Sequence, residues 1–379
     1  MRGNTLLALL VVPMLCVGLL AAADVDPYDQ SGVPLEKQPP DDTKVTKIVL
    51  VAGRASHRSG EHEFFAGCAL LMKLLQQTPG VFPVMARDGW PKNPKTFEGA
   101  KSVVFYMDGG NGHPIIQKDH REVVQKLMDQ GVGFVNLHYA VEYPKSQSDH
   151  VLQWLGGYYE TGFSTNPHWK AEIKTLPEHP ITRGVRPFAL QDEWYFNIRF
   201  KPELEGVTPI LKAVPPDAVR RTKAAQEHKG REEILAWAFQ RANGGRSFGF
   251  TGAHFHKNWG DENFRRLVVN AILWTAKLDV PPDGAKVEMS PDDLPRRMQL
   301  GAGPQAVPRP RRSLMSSLPH DVPKPVPEDL GKDAEGWERR QRLNKSEAER
   351  LLDWLEANGY SQKEISLAED GSFTVRWRR

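Results

Sequence analysis

The chain has 379 residues, of which 40% are hydrophobic and 26% charged, with 50 Lys and Arg set against 47 Asp and Glu. That balance excludes wholesale disorder, and a chain of this length buries a sizeable core without disulfides or a structural metal. A net charge of +3 at pH 7, with no basic stripe interleaved with aromatics, leaves no electrostatic footprint for nucleic acid.

At the N-terminus, Arg2 precedes the apolar run from Thr5 to Leu20 and then Ala21-Ala22-Ala23. The run is short for a spanning helix and no stop-transfer charges follow, so residues 1–23 read as a secretory signal peptide. The expectation is an exported protein, periplasmic or extracellular. Leu15 before Cys16 is not the small residue that lipid attachment needs, which makes Cys16 one more apolar leader residue. Without the leader a single cysteine remains, Cys68, which has no intrachain partner and is expected as a buried thiol. Residues 24–43, with Pro27, Pro34, Pro39 and Pro40, read as a flexible lead-in.

From Lys44 onward short β-branched runs alternate with amphipathic stretches. The spacing predicts a strand over Lys47–Val51, a helix over Glu61–Gln77, a strand over Ser102–Met107, a helix over Ile115–Gln130 and a strand over Val132–Leu137. Further strand-like runs follow at Trp169–Ile173, Val207–Ala213, Ile234–Gln240 and Ser247–Thr251, and a last helix covers Glu262–Ala276. The pattern predicts one α/β domain over 44–280, a doubly wound parallel sheet with helices on both faces. Eleven of the 30 prolines fall between Pro281 and Pro327, interspersed with arginines, which predicts an extended tether over 281–330.

Residues 331–379 form a small αββ module in this reading. Ser346 to Glu349 is a capping box opening a helix that carries Leu351, Leu352, Trp354 and Leu355 and stops at Asn358-Gly359. Glu364–Ala368 and Ser372–Trp377 flank the turn pair Asp370-Gly371 as a β-hairpin. The module either closes a small core around Trp354 and Trp377 or docks a protein or envelope partner.

In a doubly wound sheet ligands bind at the carboxyl ends of the strands, and four such junctions carry polar residues. The loop after Lys47–Val51 holds His57, Arg58 and His62, suited to an anionic or polyhydroxyl ligand; it lacks both G-x-G-x-x-G and the P-loop spacing, which argues against a nucleotide. Asp108-Gly109-Gly110-Asn111-Gly112 either brings backbone amides close to a ligand or makes a tight turn. Val132–Leu137 ends directly in His138-Tyr139, where sheet hydrolases hold a nucleophile. No Ser or Cys stands there, so His138 reads as a general base or metal ligand.

The fourth junction, after Ser247–Thr251, carries His254-Phe255-His256, a metal-ligand spacing if the segment is extended, since alternate side chains then point the same way. Asp192-Glu193-Trp194-Tyr195 adds carboxylates among aromatics, where a partly buried Glu193 could act as acid or base.

Together these segments resemble the ThuA-like, trehalose-utilisation family over about 44–280. The marks are His57 and His62 after the first strand, the run Gly131 to His138, His179-Pro180-Ile181-Thr182-Arg183-Gly184, Asp192 to Tyr195, and Gly252-Ala253-His254 before Asn270-Ala271-Ile272-Leu273-Trp274. The resemblance implies the flavodoxin-like fold of the class I glutamine amidotransferase superfamily. In the amidotransferases the strand tip matching His138 carries a nucleophilic cysteine, with a histidine near the position of His254. This chain keeps the histidine and lacks the cysteine, so glutaminase activity is disfavoured.

What the resemblance further implies is sugar metabolism through keto-sugars or keto-glycosides, whose proton next to the carbonyl is acidic enough for enolisation, followed by lyase, isomerase or hydrolase chemistry. His138 and Glu193 would supply the acid–base steps, and His254 with His256 would stabilise the enolate. A divalent metal is optional, with His138, His254 and His256 as its ligands. Substrate contacts would come from His57, Arg58, His62, Asp108, Gly109, Gly110, Tyr139, Trp194 and His256. The competing reading is a carbohydrate-binding or scaffold protein without turnover, stacking sugars on aromatics such as Trp90, Tyr158, Tyr159, Trp169 and Trp259. A third is metal-dependent hydrolysis of an unrelated substrate. Clustering of His57, His138, Glu193 and His254 would favour the enzyme.

Overall fold

A computed structural model describes residues 32–40, 44–54, 56–290, 292–294, 337–343, 348, 351–352, 355, 360, 362–368 and 370–378. In chain order the elements are β1 (Thr46–Ala52), α1 (Phe64–Leu75), β2 (Val81–Ala86), β3 (Ser102–Tyr106), α2 (His120–Asp129), β4 (Gly133–Leu137), α3 (Ser148–Leu155), β5 (Gly157–Tyr158), β6 (His168–Ile173), β7 (Phe188–Glu193), β8 (Arg199–Phe200), β9 (Val207–Ala213), α4 (Lys223–Gln226), β10 (Glu233–Gln240), β11 (Arg246–Phe250), α5 (Glu262–Thr275), β12 (Glu338–Leu343), β13 (Gln362–Leu367) and β14 (Phe373–Arg378).

Seven strands make one sheet in the order β2-β1-β3-β4-β11-β10-β9. The first five are mutually parallel, the 2-1-3-4-5 order of a flavodoxin-like sheet. Successive residues of β1 feed opposite cores. Ile48, Leu50 and Ala52 pack with α1 and α5, and Val49 and Val51 pack with α2 and α3. A strand buried on both faces is what a sheet covered by helices on both sides requires.

The sheet is mixed rather than wholly parallel, because β10 runs antiparallel to β11 and to β9. The β10–β11 connection, residues 241–245, is too short for the crossover that a parallel pair needs. The segment Trp169–Ile173 also lies outside this sheet. As β6 it pairs antiparallel with β7 in a separate hairpin, and its alternating burial shows one face turned to solvent.

α1 begins at Phe64, later than the periodicity predicts, because Gly60 and His62 both take positive φ, +90° and +47°. Residues 32–40 lie along the β2 edge, where Glu36 N donates to Met85 O at 2.7 Å. Past Val280, Ala285 and Val287 remain buried in the core shared by α1 and α5, so packing continues into the stretch expected to open the tether.

The C-terminal residues form a three-stranded sheet, β12-β14-β13, one strand more than the predicted hairpin. Leu351, Leu352 and Leu355 pack with Trp377 and Val375. The leader, Ser346 of the capping box, Trp354 and most of the tether lie outside the described residues. Among the described residues no helix is long and apolar enough to cross a membrane.

Candidate active centre

β1, β3, β4 and β11 end on one edge of the sheet, and the loops after them carry His62, Asp108, His138 and His254. Glu193 reaches the same point from the end of β7. His138 is fully buried at the tip of β4 with φ +54°, and His57, His62 and Ala253 also take positive φ, +67°, +47° and +86°. Each such non-glycine residue carries on the order of 1–3 kcal/mol of strain, and strain of this kind collects at functional sites. Asp192 fixes the turn at His254, accepting from the amides of Ala253 at 2.8 Å and His254 at 3.0 Å.

The side chains converge closely. His62 Nε2 lies 3.0 Å from His138 Nε2. His138 Nε2 is 3.3 Å from Glu193 Oε2 and 3.3 Å from His254 Nδ1, and His254 Nδ1 is 3.1 Å from Glu193 Oε2. All four residues are buried.

A surrounding set of groups orients them. His138 Nδ1 faces Thr251 O at 2.9 Å. His62 Nδ1 faces Asp108 Oδ1 at 3.1 Å and Ser56 Oγ at 2.9 Å, while Ser56 Oγ donates to Asp108 at 2.8 Å. Asn166 Nδ2 donates to Glu193 Oε1 at 3.0 Å, and Tyr195 Oη stands 3.4 Å from His138 Nε2. On the solvent side the exposed His57 ring lies 3.7 Å from that of His62.

Burial and mutual interaction set the charges. Burial would raise the Glu193 carboxyl, but His254 and His138 beside it hold it well below the usual carboxylate range. Burial would lower His254, but Glu193, Asp192 and Glu61 raise it. Burial, reinforced by His57, His254 and His138, pushes His62 well down. The metal-free centre therefore pairs a carboxylate with a protonated His254 and keeps His62 neutral. Among the described residues, His62, His138, Glu193 and His254 form a group that could hold a metal ion, and His57, His62 and Asp108 form a second, more exposed group.

The family profile described as ThuA, trehalose utilisation, matches residues 49–275, which hold every residue of this centre. The chain belongs to the ThuA family. A ThuA-like protein of Bacteroides uniformis, known from a crystal structure at 2.30 Å resolution, is 18% identical and covers 64% of this chain and 97% of its own, with a TM-score of 0.47. No curated protein matches the chain.

Within this ThuA domain His57, His62, Asp108, His138, Glu193 and His254 come together, and other residues nominated from sequence stand elsewhere. His256 is outside the four-residue group. Ala253 takes φ +86° and a 3-10 turn starts at His256, directly after the extended Phe255, so the alternate-residue geometry does not apply. Gly110 N donates to Glu142 O at 3.0 Å, and a Cβ at Gly109 would fall 2.2 Å from Tyr139 O. The glycine loop is therefore closed against the turn after β4 and offers no cradle at Gly110. Trp194 is a core residue against Phe250 and Phe264, with Nε1 donating to Leu190 O.

Tyr158, Tyr159, Trp169 and Trp259 are likewise buried, which removes them as sugar platforms. Arg58 points to solvent beside Glu61, and the Tyr139 ring sits 5.8 Å from His62 at the rim. Sequence reasoning misses Ser56 and Asn166 as site residues and names Asp192 only as a carboxylate beside Glu193. Asp192 adjoins a nominated carboxylate, which is a usable signal; Ser56 and Asn166 have none, being ordinary polar loop residues.

Proposed function

We propose that this ThuA protein turns over a keto-sugar or keto-glycoside, moving the proton next to the carbonyl in lyase, isomerase or hydrolase chemistry. The observation that supports this is the convergence of His62, His138, Glu193 and His254 at the ligand-binding edge of the sheet. Burying ionisable groups costs several kcal/mol each unless they are paired, and arranging them around one point is the mark of an electrophilic or acid–base centre.

Enolisation needs positive charge at the carbonyl oxygen and a base at the adjacent carbon. In this reading the cationic side of the centre, at His254, faces the oxygen, and the exposed His57 takes the proton. His138 then works inside the centre rather than as the base, because it is fully buried with both ring nitrogens engaged. The leader-like residues 1–23 support a periplasmic or extracellular setting for this reaction.

The test is NMR of a 3-keto-glycoside in deuterated buffer. The protein should speed exchange of the proton next to the carbonyl, and His57→Ala and Glu193→Gln should each slow it by about 10²–10⁴-fold. Equal rates in all three proteins would sink the proposal, and binding without any exchange would favour a carbohydrate-binding role.

A further inference from the structure

We propose that His62, His138, Glu193 and His254 are the ligands of one divalent first-row transition-metal ion. The argument starts from protons. His138 Nδ1 faces a backbone carbonyl, so it carries the ring N–H and leaves a lone pair on Nε2. Ser56 Oγ gives its proton to Asp108, so both groups around His62 Nδ1 act as acceptors and that nitrogen carries the N–H as well. Two lone pairs then face each other at 3.0 Å in a buried site. A proton on His254 settles only its contact with Glu193. Protonating His62 or His138 instead would bury a cation among the other imidazoles of the cluster. A cation between the two Nε2 atoms removes the conflict.

The spacing suits such an ion. Bonds of 2.0–2.2 Å in tetrahedral geometry put neighbouring ligand atoms about 3.3–3.6 Å apart; four of the six distances between these side chains run from 3.0 to 3.3 Å, and all the ligand atoms lie within 4.8 Å of one another. The supporting shell suits it too. Imidazole ligands characteristically donate their second N–H to a carboxylate or a backbone carbonyl, which fixes the tautomer. Here Asp108 does this for His62 and Thr251 O for His138, while Asn166 occupies the other oxygen of Glu193. Three imidazoles and one carboxylate select zinc, manganese or iron over magnesium or calcium, which take all-oxygen sets. Such an ion supplies Lewis-acid polarisation of a carbonyl oxygen. Its catalytic use rests on the keto-sugar reading above, but its binding does not.

Elemental analysis of the full chain, as purified and after dialysis against Zn²⁺ or Mn²⁺, should give about one ion per chain. EDTA should remove it and lower Tm, and Co²⁺ in its place should give visible d–d absorption. His62→Ala and Glu193→Gln should lose the ion, and Asp108→Ala should weaken its binding about 10–100-fold. No uptake of Zn²⁺, Mn²⁺ or Co²⁺ by the wild type, with no change in Tm, would overturn the proposal, as would full occupancy in the folded His62→Ala and Glu193→Gln variants. The wild-type measurements decide even if those variants do not fold. Bound metal without turnover of keto-glycosides sinks only the proposed function, and turnover by a protein that takes up no metal sinks only this inference.

Discussion

His138 is held in the left-handed region, φ +54°, at a strand tip where its backbone is fixed by β4 on one side and a 3-10 turn on the other. A side chain with a Cβ is strained there and glycine is not. His138→Gly should therefore be more stable than His138→Ala by about 1 kcal/mol, although both remove the same imidazole. Urea unfolding of the two variants checks this, and alanine equal to or better than glycine would show that the backbone at 138 carries no such strain. The same local geometry explains why one histidine of the 254/256 pair reaches the centre and the other does not. Spacing alone assumes a regular strand, and Ala253 at φ +86° with a helical turn from His256 breaks that assumption.

Elements that position the centre were legible where apolar runs were unbroken. β1, β3, β4 and β11 are short and nearly all buried, so their sequences read as strands of a covered sheet. β2 was not legible because Pro83 interrupts it, and proline is tolerated there only because β2 is an edge strand. β7 was hidden because Phe188–Glu193 is apolar only in its first half, and it is this strand that delivers Glu193. α5 was read almost to the residue, with Asp261 Oδ1 capping Phe264 N. Its buried Asn270 does more than fill space. Nδ2 donates to Ile181 O and Arg183 O, and Oδ1 accepts from Ala285 N, tying two segments to one helix. Asn270→Leu would leave Ile181 O and Ala285 N buried without this partner and should cost at least ~2 kcal/mol. A loss within 0.5 kcal/mol of zero, by denaturant titration, would show that the segments dock without it.

Across the whole molecule, histidines with two different fates share one domain. Those of the centre interact with one another, while His113 and His179 are held neutral by their surroundings, and neither fate can be read from a histidine's place in the sequence. His113 is fully buried, facing Ala140 O and accepting from Ile115 N. Burial pushes it down to about 4, partly offset by that carbonyl. Burial, then Arg246 and Arg183, pushes the half-buried His179 down to about 4 as well. An unfolded histidine titrates near 6.5. Between pH ~6.5 and ~4 the unfolded chain therefore binds protons that the native protein refuses, and stability falls as pH drops through that window. For His113 the gap corresponds to about 3 kcal/mol, with less from His179 because solvent screens it. The measurement is urea unfolding of wild type and His113→Gln across that range with EDTA present. The comparison cancels the titration of the centre, which both proteins share. The variant should lose stability less steeply on acidification, by about one proton in the slope, and parallel curves would mean that His113 is not held neutral in the fold.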